Sequence, residues 1–275
     1  MNPVISARSL LFVPATRPER LSKALATAAG CVIVDLEDAV SIGEKSAARD
    51  RLADALLSID ASERPRVLVR INADGTAWHD DDVRMLAAAP AFGGVVLPKA
   101  ESQSVLARVG SLLVGLTLVP LIESLAGLDN VDSLARTEGV ARLAFGHLDF
   151  QLDLGMRCEA DETELTSVRF AIVAASRRAS LAAPIDGVTV ELDDPTRLGS
   201  DSRRAIALGF GAKLCIHPKQ VEIVNATFAP TQDDVAWARQ VMTLAASNGG
   251  QAFAFDGRMV DAPVIARARK ILQAE

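Results

Sequence analysis

Acidic and basic residues close several apolar runs in this chain, and their types suit binding of a cation together with an oxygen-rich substrate. The stretch CVIVDLEDAV (31–40) sets Asp35, Glu37 and Asp38 into four positions after a run suited to a buried strand. Such a cluster is either a solvated strand end or a wall that binds cations or hydrogen-bonds a polar substrate. Glu123 closes LTLVPLIE, and Asp149 follows RLAFGH. Two carboxylates with no patterned His or Cys beside them suit a hard cation that keeps open positions for water and substrate, Mg²⁺ or Mn²⁺. The alternative makes Asp149 a helix cap and gives Glu123 a salt bridge to Lys99. Arg70, in VLVRIN, can pair with Glu37 or Asp38 while offering donors to an oxyanion, or form a purely structural bridge. Arg17, Asn72, Lys99 and His217 complete the polar set at the ends of the runs. Pro218 holds the backbone of His217 extended or turned, and its ring fits a structural role as well as a catalytic one. His79 and His147 carry no specific spacing signal, and the two tryptophans read as packing.

Residues placed in this way need short strands to carry them. Candidate strands are SLLFVP (9–14), CVIVDLE (31–37), RVLVRIN (66–72), GVVLPK (94–99), LTLVPLIE (116–123), RLAFGH (142–147), IDGVTV (185–190) and AKLCIH (212–217). Between them lie helix-favouring segments such as RPERLSKALATAAG, EKSAARDRLADALLSI and TELTSVRFAIVAASRRASLAA, with apolar positions near a 3.6 period. Near-continuous apolar strands imply a parallel sheet covered on both faces, and eight βα units fit an α/β fold of the closed (β/α)8 TIM-barrel type. In such a barrel the strand C-termini and the loops after them make the active site, which is where the polar residues fall. The pattern predicts a barrel over 1–228 and a short C-terminal extension over 229–275. That extension holds a helix in FAPTQDDVAWARQVMTLAASNGG with a glycine stop at 249–250, then a hairpin-like piece and a final helix in AFAFDGRMVDAPVIARARKILQ. The piece AFAFDGRMVDAPVIARARKILQ would be too small to fold alone.

Composition sets the outer bounds. With 275 residues, 49% hydrophobic and 23% charged, the chain can bury one large core and has no disorder signature. A net charge of -6 argues against nucleic acid as the main partner, although a local basic pocket for a phosphorylated ligand is compatible with it. No G-x-G-x-x-G follows the first strand and no G-x-x-x-x-G-K-[ST] occurs, which weakens dinucleotide and nucleoside-triphosphate readings. Cys31, Cys158 and Cys215 are far apart with no zinc-ligand spacing and read as reduced thiols. No stretch has the length and apolarity of a signal peptide or membrane span, so cytoplasm is the expected compartment.

The chain resembles the HpcH/HpaI aldolase and citrate lyase β-subunit superfamily, on the side of the CoA-ester lyases. RSLLFVPATRPERLSKAL, VIVDLEDAV with the downstream EKSAAR, VRIN, VVLPKAES, LIESLAGL, AFGHLDFQLDLG, CIHPKQV, FAPTQDDVAWAR and GRMVDAPVIARAR carry the resemblance in order along nearly the whole chain. It implies that Glu123 and Asp149 are the protein ligands of Mg²⁺ and that Arg70 contacts the thioester or acid carbonyl. Glu37 and Asp38 would hydrogen-bond metal-bound waters and hold Arg70. Phe12, Arg17 and Lys23 match positions that bind the CoA nucleotide and phosphates, and Ile216 and His217 a backbone-lined part of that pocket. Asp261, in MVD, would reach the active site of an adjacent subunit in a homotrimer or hexamer and handle the proton at the acyl-CoA α-carbon. Read from the residues alone, Asp261 is a helix N-cap before APVIARARKIL, with Pro263 in the first turn. Where the family frequently has GAED, this chain has GHLD, so Leu148 replaces a carboxylate and leaves the acyl group open.

The resemblance implies Mg²⁺-dependent reversible cleavage of a 3-hydroxyacyl-CoA such as malyl-, citramalyl- or citryl-CoA. The products would be acetyl-CoA or a homologue and a 2-oxo acid. Two rivals stand beside it: a CoA-independent class II aldolase for hydroxy-oxo acids, and a citrate lyase β subunit that turns over only with an acyl-carrier protein and partner subunits.

Overall fold

The structure, a computed structural model, describes residues 2–249, 251–273 and 275. Eight parallel strands, β1 (Ser9–Pro14), β2 (Cys31–Asp35), β3 (Val67–Arg70), β4 (Gly94–Leu97), β5 (Thr117–Ile122), β6 (Ala144–Phe145), β7 (Ile185–Asp186) and β8 (Ala212–Cys215), follow one another around a closed barrel. Closure is the pairing of β1 with β8, Leu10 beside Leu214. The expected (β/α)8 TIM barrel is therefore the fold.

Helix α1 (Pro3–Ser6) precedes β1, and α2 (Glu19–Leu25), α3 (Lys45–Ser58), α4 (His79–Ala88) and α5 (Gln103–Leu112) follow the first four strands. The β5–β6 connection carries α6 (Leu125–Asp129) and α7 (Val131–Ala135), and the β6–β7 connection α8 (His147–Leu154) and α9 (Thr166–Arg178). Helix α10 (Pro195–Leu208) joins β7 to β8; Asp194 caps it by accepting from the Arg197 amide, and Pro195 occupies its first turn. Helix α11 (Pro218–Phe228) follows β8.

Inward side chains of the strands fill the barrel. Leu10, Ile33, Leu68, Val96, Val119, Leu121, Ala144, Ile185, Ala212 and Leu214 pack into one buried cluster, extended by the half-buried Phe12 and Val188. Each large aliphatic buried here contributes about 1.5–3 kcal/mol. At the N-terminal end of the barrel the buried Arg142 donates to the carbonyls of Val4, Ala7 and Ala183. Its guanidinium ties α1 and the residues before β7 together, a stabilising role typical of that face.

The strands are shorter than the apolar runs that announce them. β2 stops at Asp35 because that carboxylate accepts from the amides of Glu37 (2.9 Å) and Ala39 (3.0 Å), closing a local turn that takes the chain out of the ladder.

The chain divides into two compact units, residues 1–225 and 226–275. Within the second, α12 (Gln232–Ser247), the antiparallel hairpin of β9 (Phe253–Phe255) and β10 (Arg258–Val260), and α13 (Ala262–Gln273) share a small core. Ala238, Val241, Val260 and Ala268 are buried there, and Arg267 lies over the Trp237 ring at 5.3 Å. Thr231 and Asp234 form a reciprocal capping box at the start of α12. Gly249 follows that helix with φ of 60°, and Gly250, the other half of the expected stop, lies outside the described residues. All three cysteines are free thiols. Among the described residues no helix is long and apolar enough to cross a membrane.

Candidate active site

Asp35 and Arg70 are the last residues of neighbouring parallel strands and lie side by side in register. Their side chains therefore meet. Arg70 Nε donates to Asp35 Oδ1 at 2.8 Å and Nη2 to Oδ2 at 2.7 Å, a bidentate fork in a buried setting. Nη1 donates to Asp38 Oδ2 at 3.2 Å and lies 3.1 Å from Glu37 Oε2. Among the described residues one N–H on each terminal nitrogen has no hydrogen-bond acceptor. The Phe12 ring, 4.9 Å from the guanidinium carbon, covers one face of the group. The carboxylates that close β2 thus fix a guanidinium at the C-terminal mouth of the barrel.

Glu123 follows β5 and is buried. Its Oε1 accepts from the backbone amide of Lys99 at 2.7 Å. The Lys99 backbone adopts φ of 43°, a left-handed conformation unfavourable for a lysine, so the loop after β4 carries strain to present that amide. Lys99 Nζ is 3.8 Å from Glu37 Oε1. Glu123 and Lys99 thus meet through the backbone, and the Lys99 side chain turns to Glu37.

Gly146 ends the β6 segment against Glu123: a Cβ there would lie 2.5 Å from Glu123 Oε2. Gly146 is also the N-cap of α8, with no side-chain cap bond. Asp149 sits in the first turn of α8 and accepts no hydrogen bond from the described residues, so it is not the cap. Among the described residues the amides of His147, Leu148 and Asp149 have no acceptor, as expected of a first helical turn.

These groups line a cavity of about 410 Å³. Asp35, Asp38, Arg70, Glu123 and Asp149 form its polar part; Phe12, Leu121, Leu148, Val188, Leu214 and Ile216 form its apolar part. Of the residues singled out in the sequence, Phe12, Asp38, Arg70, Glu123, Leu148, Asp149 and Ile216 are brought together here, with Glu37 behind Arg70. Arg17 and Lys23 do not line it: both are exposed, and Arg17 lies 3.9 Å from Glu19. His217 is also off the cavity, and its Nδ1 accepts from the Lys219 amide at 3.2 Å. The amides of Ile216 and His217 both donate to Gln220 Oε1, at 2.9 and 3.3 Å. Asp261 belongs to the second unit, where its Oδ1 accepts from the Val264 amide at 3.4 Å as a cap of α13.

Sequence reading missed two parts of the site. One is Asp35 as the main partner of Arg70. The other is a buried network behind α8. His147 lines the cavity, and its Nε2 is 3.2 Å from Glu162 Oε1. Glu162 Oε2 also pairs with Arg169 and, at 2.9 Å, with Arg204, while Arg169 Nε reaches Asp186 Oδ1 at 3.0 Å. Gly187 packs so closely on the imidazole that a Cβ would sit 2.1 Å from its Nδ1.

Electrostatics set the carboxylates apart. Burial pushes Glu37 up to about 8 despite the nearby Arg70, with Glu123 and Asp38 adding to the rise. Burial also pushes Glu123 up to about 7; the Lys99 amide opposes the rise and Asp149 adds to it. Burial alone would lower Arg70, but Asp35, Glu37 and Asp38 more than offset it and the guanidinium stays charged. Glu123 beside Asp149 is an anionic pair short of compensating charge. The donors are all oxygen, and among the described residues Asp149 accepts no hydrogen bond and makes no ion pair. A hard divalent cation that completes its coordination with water and substrate fits this pair. Two carboxylates do not make a closed cage, and no group of three or more His, Cys, Asp or Glu suited to a metal occurs among the described residues.

The family model for HpcH/HpaI aldolase/citrate lyase matches residues 8–218. The chain belongs to the HpcH/HpaI aldolase/citrate lyase family. A citrate lyase subunit beta-like protein of Deinococcus radiodurans is 36% identical, over 98% of this chain and 97% of its own length. A (3S)-malyl-CoA thioesterase of Cereibacter sphaeroides is 32% identical, over 96% and 93%. The crystal structure of Mycobacterium tuberculosis CitE in complex with magnesium, acetoacetate and coenzyme A superposes with a TM-score of 0.86 at 35% identity, covering 98% of each chain.

Proposed function

We propose that this chain is a Mg²⁺-dependent carbon–carbon lyase that cleaves, or in reverse forms, a 3-hydroxyacyl-CoA, with acetyl-CoA or a homologue and a 2-oxo acid as products. The observation that carries it is the pairing, within one cavity, of a guanidinium locked by Asp35 with the under-compensated carboxylates Glu123 and Asp149. Magnesium complexed with a 2-oxo or 3-oxo acid in M. tuberculosis CitE supports the same use of this cavity.

Glu123 and Asp149 would hold Mg²⁺, with Mn²⁺ as a substitute, and the ion would polarise the oxygens of the oxo-acid half. The unpaired amides of His147, Leu148 and Asp149 orient the carboxylate of that half at the start of α8. Arg70 directs its remaining N–H groups at the thioester oxygen, where negative charge accumulates as the bond breaks; one such preorganised donor is worth about 2.7–4 kcal/mol. Glu37 and Asp38 hold Arg70 and hydrogen-bond water in the mouth. Phe12, Leu148 and Ile216 contact the acyl-CoA, and Arg17, Lys23 and His217 take its nucleotide and phosphates farther out. Asp261, supplied by a neighbouring subunit of a homotrimer or hexamer, exchanges the proton at the acyl α-carbon. The site is a cytoplasmic small-molecule site with no role for nucleic acid or membrane.

Calorimetry with CoA or acetyl-CoA, in the presence of Mg²⁺ and pyruvate, tests this reading. Saturable binding is expected. Its absence favours a CoA-independent aldolase, and binding without turnover of free CoA esters favours a β subunit that needs an acyl carrier. The C. sphaeroides relatives named as thioesterases raise a further arm, distinguished by product: hydrolysis releases CoA and the intact hydroxy acid, whereas lysis releases an acyl-CoA and an oxo acid.

A further inference from the structure

We infer that Lys45 is a positioning residue for the active site: from outside the cavity it holds the segment after β2 whose side chains aim Arg70. This rests on the lyase reading above and adds to it a residue that touches neither substrate nor metal.

Lys45 is the first residue of α3, a helix that opens with no side-chain cap bond and no acidic residue in its first turn. A cation there meets the positive end of the helix dipole, and this one is also only 6% exposed, so two costs oppose it. What offsets them lies before the helix. Nζ donates to the Leu36 carbonyl at 2.8 Å and to the Glu37 carbonyl at 2.7 Å, and it lies over the Trp78 ring at 5.4 Å. Burial draws the ammonium below the ordinary lysine value, and the carboxylates of Asp35, Glu37, Asp82 and Asp38 oppose that fall.

The segment 36–39 is therefore held from both sides. Asp35 accepts from the amides of Glu37 and Ala39, and Lys45 donates to the carbonyls of Leu36 and Glu37. Both polar ends of the peptide that joins Leu36 to Glu37 thus meet a charged group, which fixes its plane. From this segment Glu37 Oε2 reaches Arg70 Nη1 at 3.1 Å and Asp38 Oδ2 reaches it at 3.2 Å. The Asp35 fork engages Nε and Nη2. Loss of Lys45 therefore leaves Arg70 at the mouth and loosens the hold on Nη1. Lys45 itself does not line the cavity, so its influence passes through Glu37 and Asp38.

The experiment compares kcat and KM of the wild type and Lys45→Met on citramalyl-CoA and malyl-CoA at saturating Mg²⁺, with thermal melting as the control on folding. Methionine keeps an unbranched apolar stem and removes the donors. We expect kcat to fall about tenfold to a hundredfold, the scale of a slightly misplaced reacting group, with KM within about threefold of wild type. In a Glu37→Gln, Asp38→Asn background the same change should lower kcat by no more than about twofold, because the contacts that carry the effect are already weakened. A folded Lys45→Met chain with wild-type kcat, or the full loss repeated in that background, overturns the inference and leaves the lyase reading standing. Where Lys45→Met does not fold, the same readings apply to Lys45→Gln, too short to reach both carbonyls; two unfolded variants make Lys45 a structural residue and overturn the inference equally. A wild-type chain that cleaves neither ester defeats the lyase reading and the inference with it.

Discussion

Replacing Asp35 by Asn is the substitution that separates a working guanidinium clamp from a decorative ion pair. Asp35 accepts four hydrogen bonds in the structure, two from Arg70 and one each from the amides of Glu37 and Ala39. An asparagine keeps the shape and one oxygen, but its NH₂ must face a donor of Arg70 and a backbone N–H at once. The pair is buried, with side-chain exposures of 2% for Asp35 and 10% for Arg70, so solvent cannot replace what is lost. Removing one partner of such a pair costs about 3–5 kcal/mol. Asp38→Asn is the control: its carboxylate meets the same guanidinium at 3.2 Å but is 59% exposed, so its loss costs at most about 1 kcal/mol. Urea unfolding reads the stability, and Mg²⁺-dependent ester cleavage reads the function. For Asp35→Asn we expect a large drop in unfolding free energy and a fall in kcat of about 10²–10³, as for a lost oxyanion donor. An Asp35→Asn chain within about 1 kcal/mol of wild type and with unchanged kcat would refute the claim that this strand-end register positions Arg70.

Gly187→Ala should displace the His147 ring and destabilise the fold, and in a His147→Ala background the same change should cost little; additive costs in the double-mutant cycle would contradict the packing described. Burial alone would raise the carboxyl of Glu162, but hydrogen bonds and charge from His147 and Arg169 outweigh it and hold the group well below the usual carboxylate range. Because the folded value is depressed, the stabilisation is complete above the unfolded value near about 4.3 and is lost as pH falls below it. Glu162→Gln should therefore flatten the acid limb of stability against pH in that window, and an unchanged limb would contradict the assignment. Mixing Asp261→Ala chains with Glu123→Ala chains, each inactive alone, should restore partial activity if the site is shared between subunits. A dead mixture despite demonstrated subunit exchange, or a fully active Asp261→Ala chain, leaves Asp261 as the helix cap of α13.

The barrel was legible because eight apolar runs recur with helical segments between them, and parallel strands buried on both faces read in that way. Strand ends were less so. The runs after β2 and β3 continue into turns set by side-chain bonds, such as those of Asp35, that hydropathy does not encode. Three carboxylates within four residues announced a polar wall, but spacing does not say which one faces Arg70. The register does: Asp35 and Arg70 each end their strand, and a parallel alignment of the two runs would have paired them. The network of His147, Glu162, Arg169, Asp186 and Arg204 left no comparable trace, since its members come from separate connections and meet only after the barrel closes.

The central claim is that Glu123 and Asp149 hold a divalent ion that drives carbon–carbon cleavage. Its most direct test is product analysis of purified wild-type and Asp149→Asn chains acting on citramalyl-CoA and malyl-CoA, with Mg²⁺ and with chelator. The account predicts equimolar acetyl-CoA and 2-oxo acid from the wild type, loss of both with chelator, recovery on adding Mg²⁺, and no turnover by a folded Asp149→Asn chain. Release of free CoA with intact hydroxy acid, or cleavage that persists in chelator or in Asp149→Asn, would contradict it.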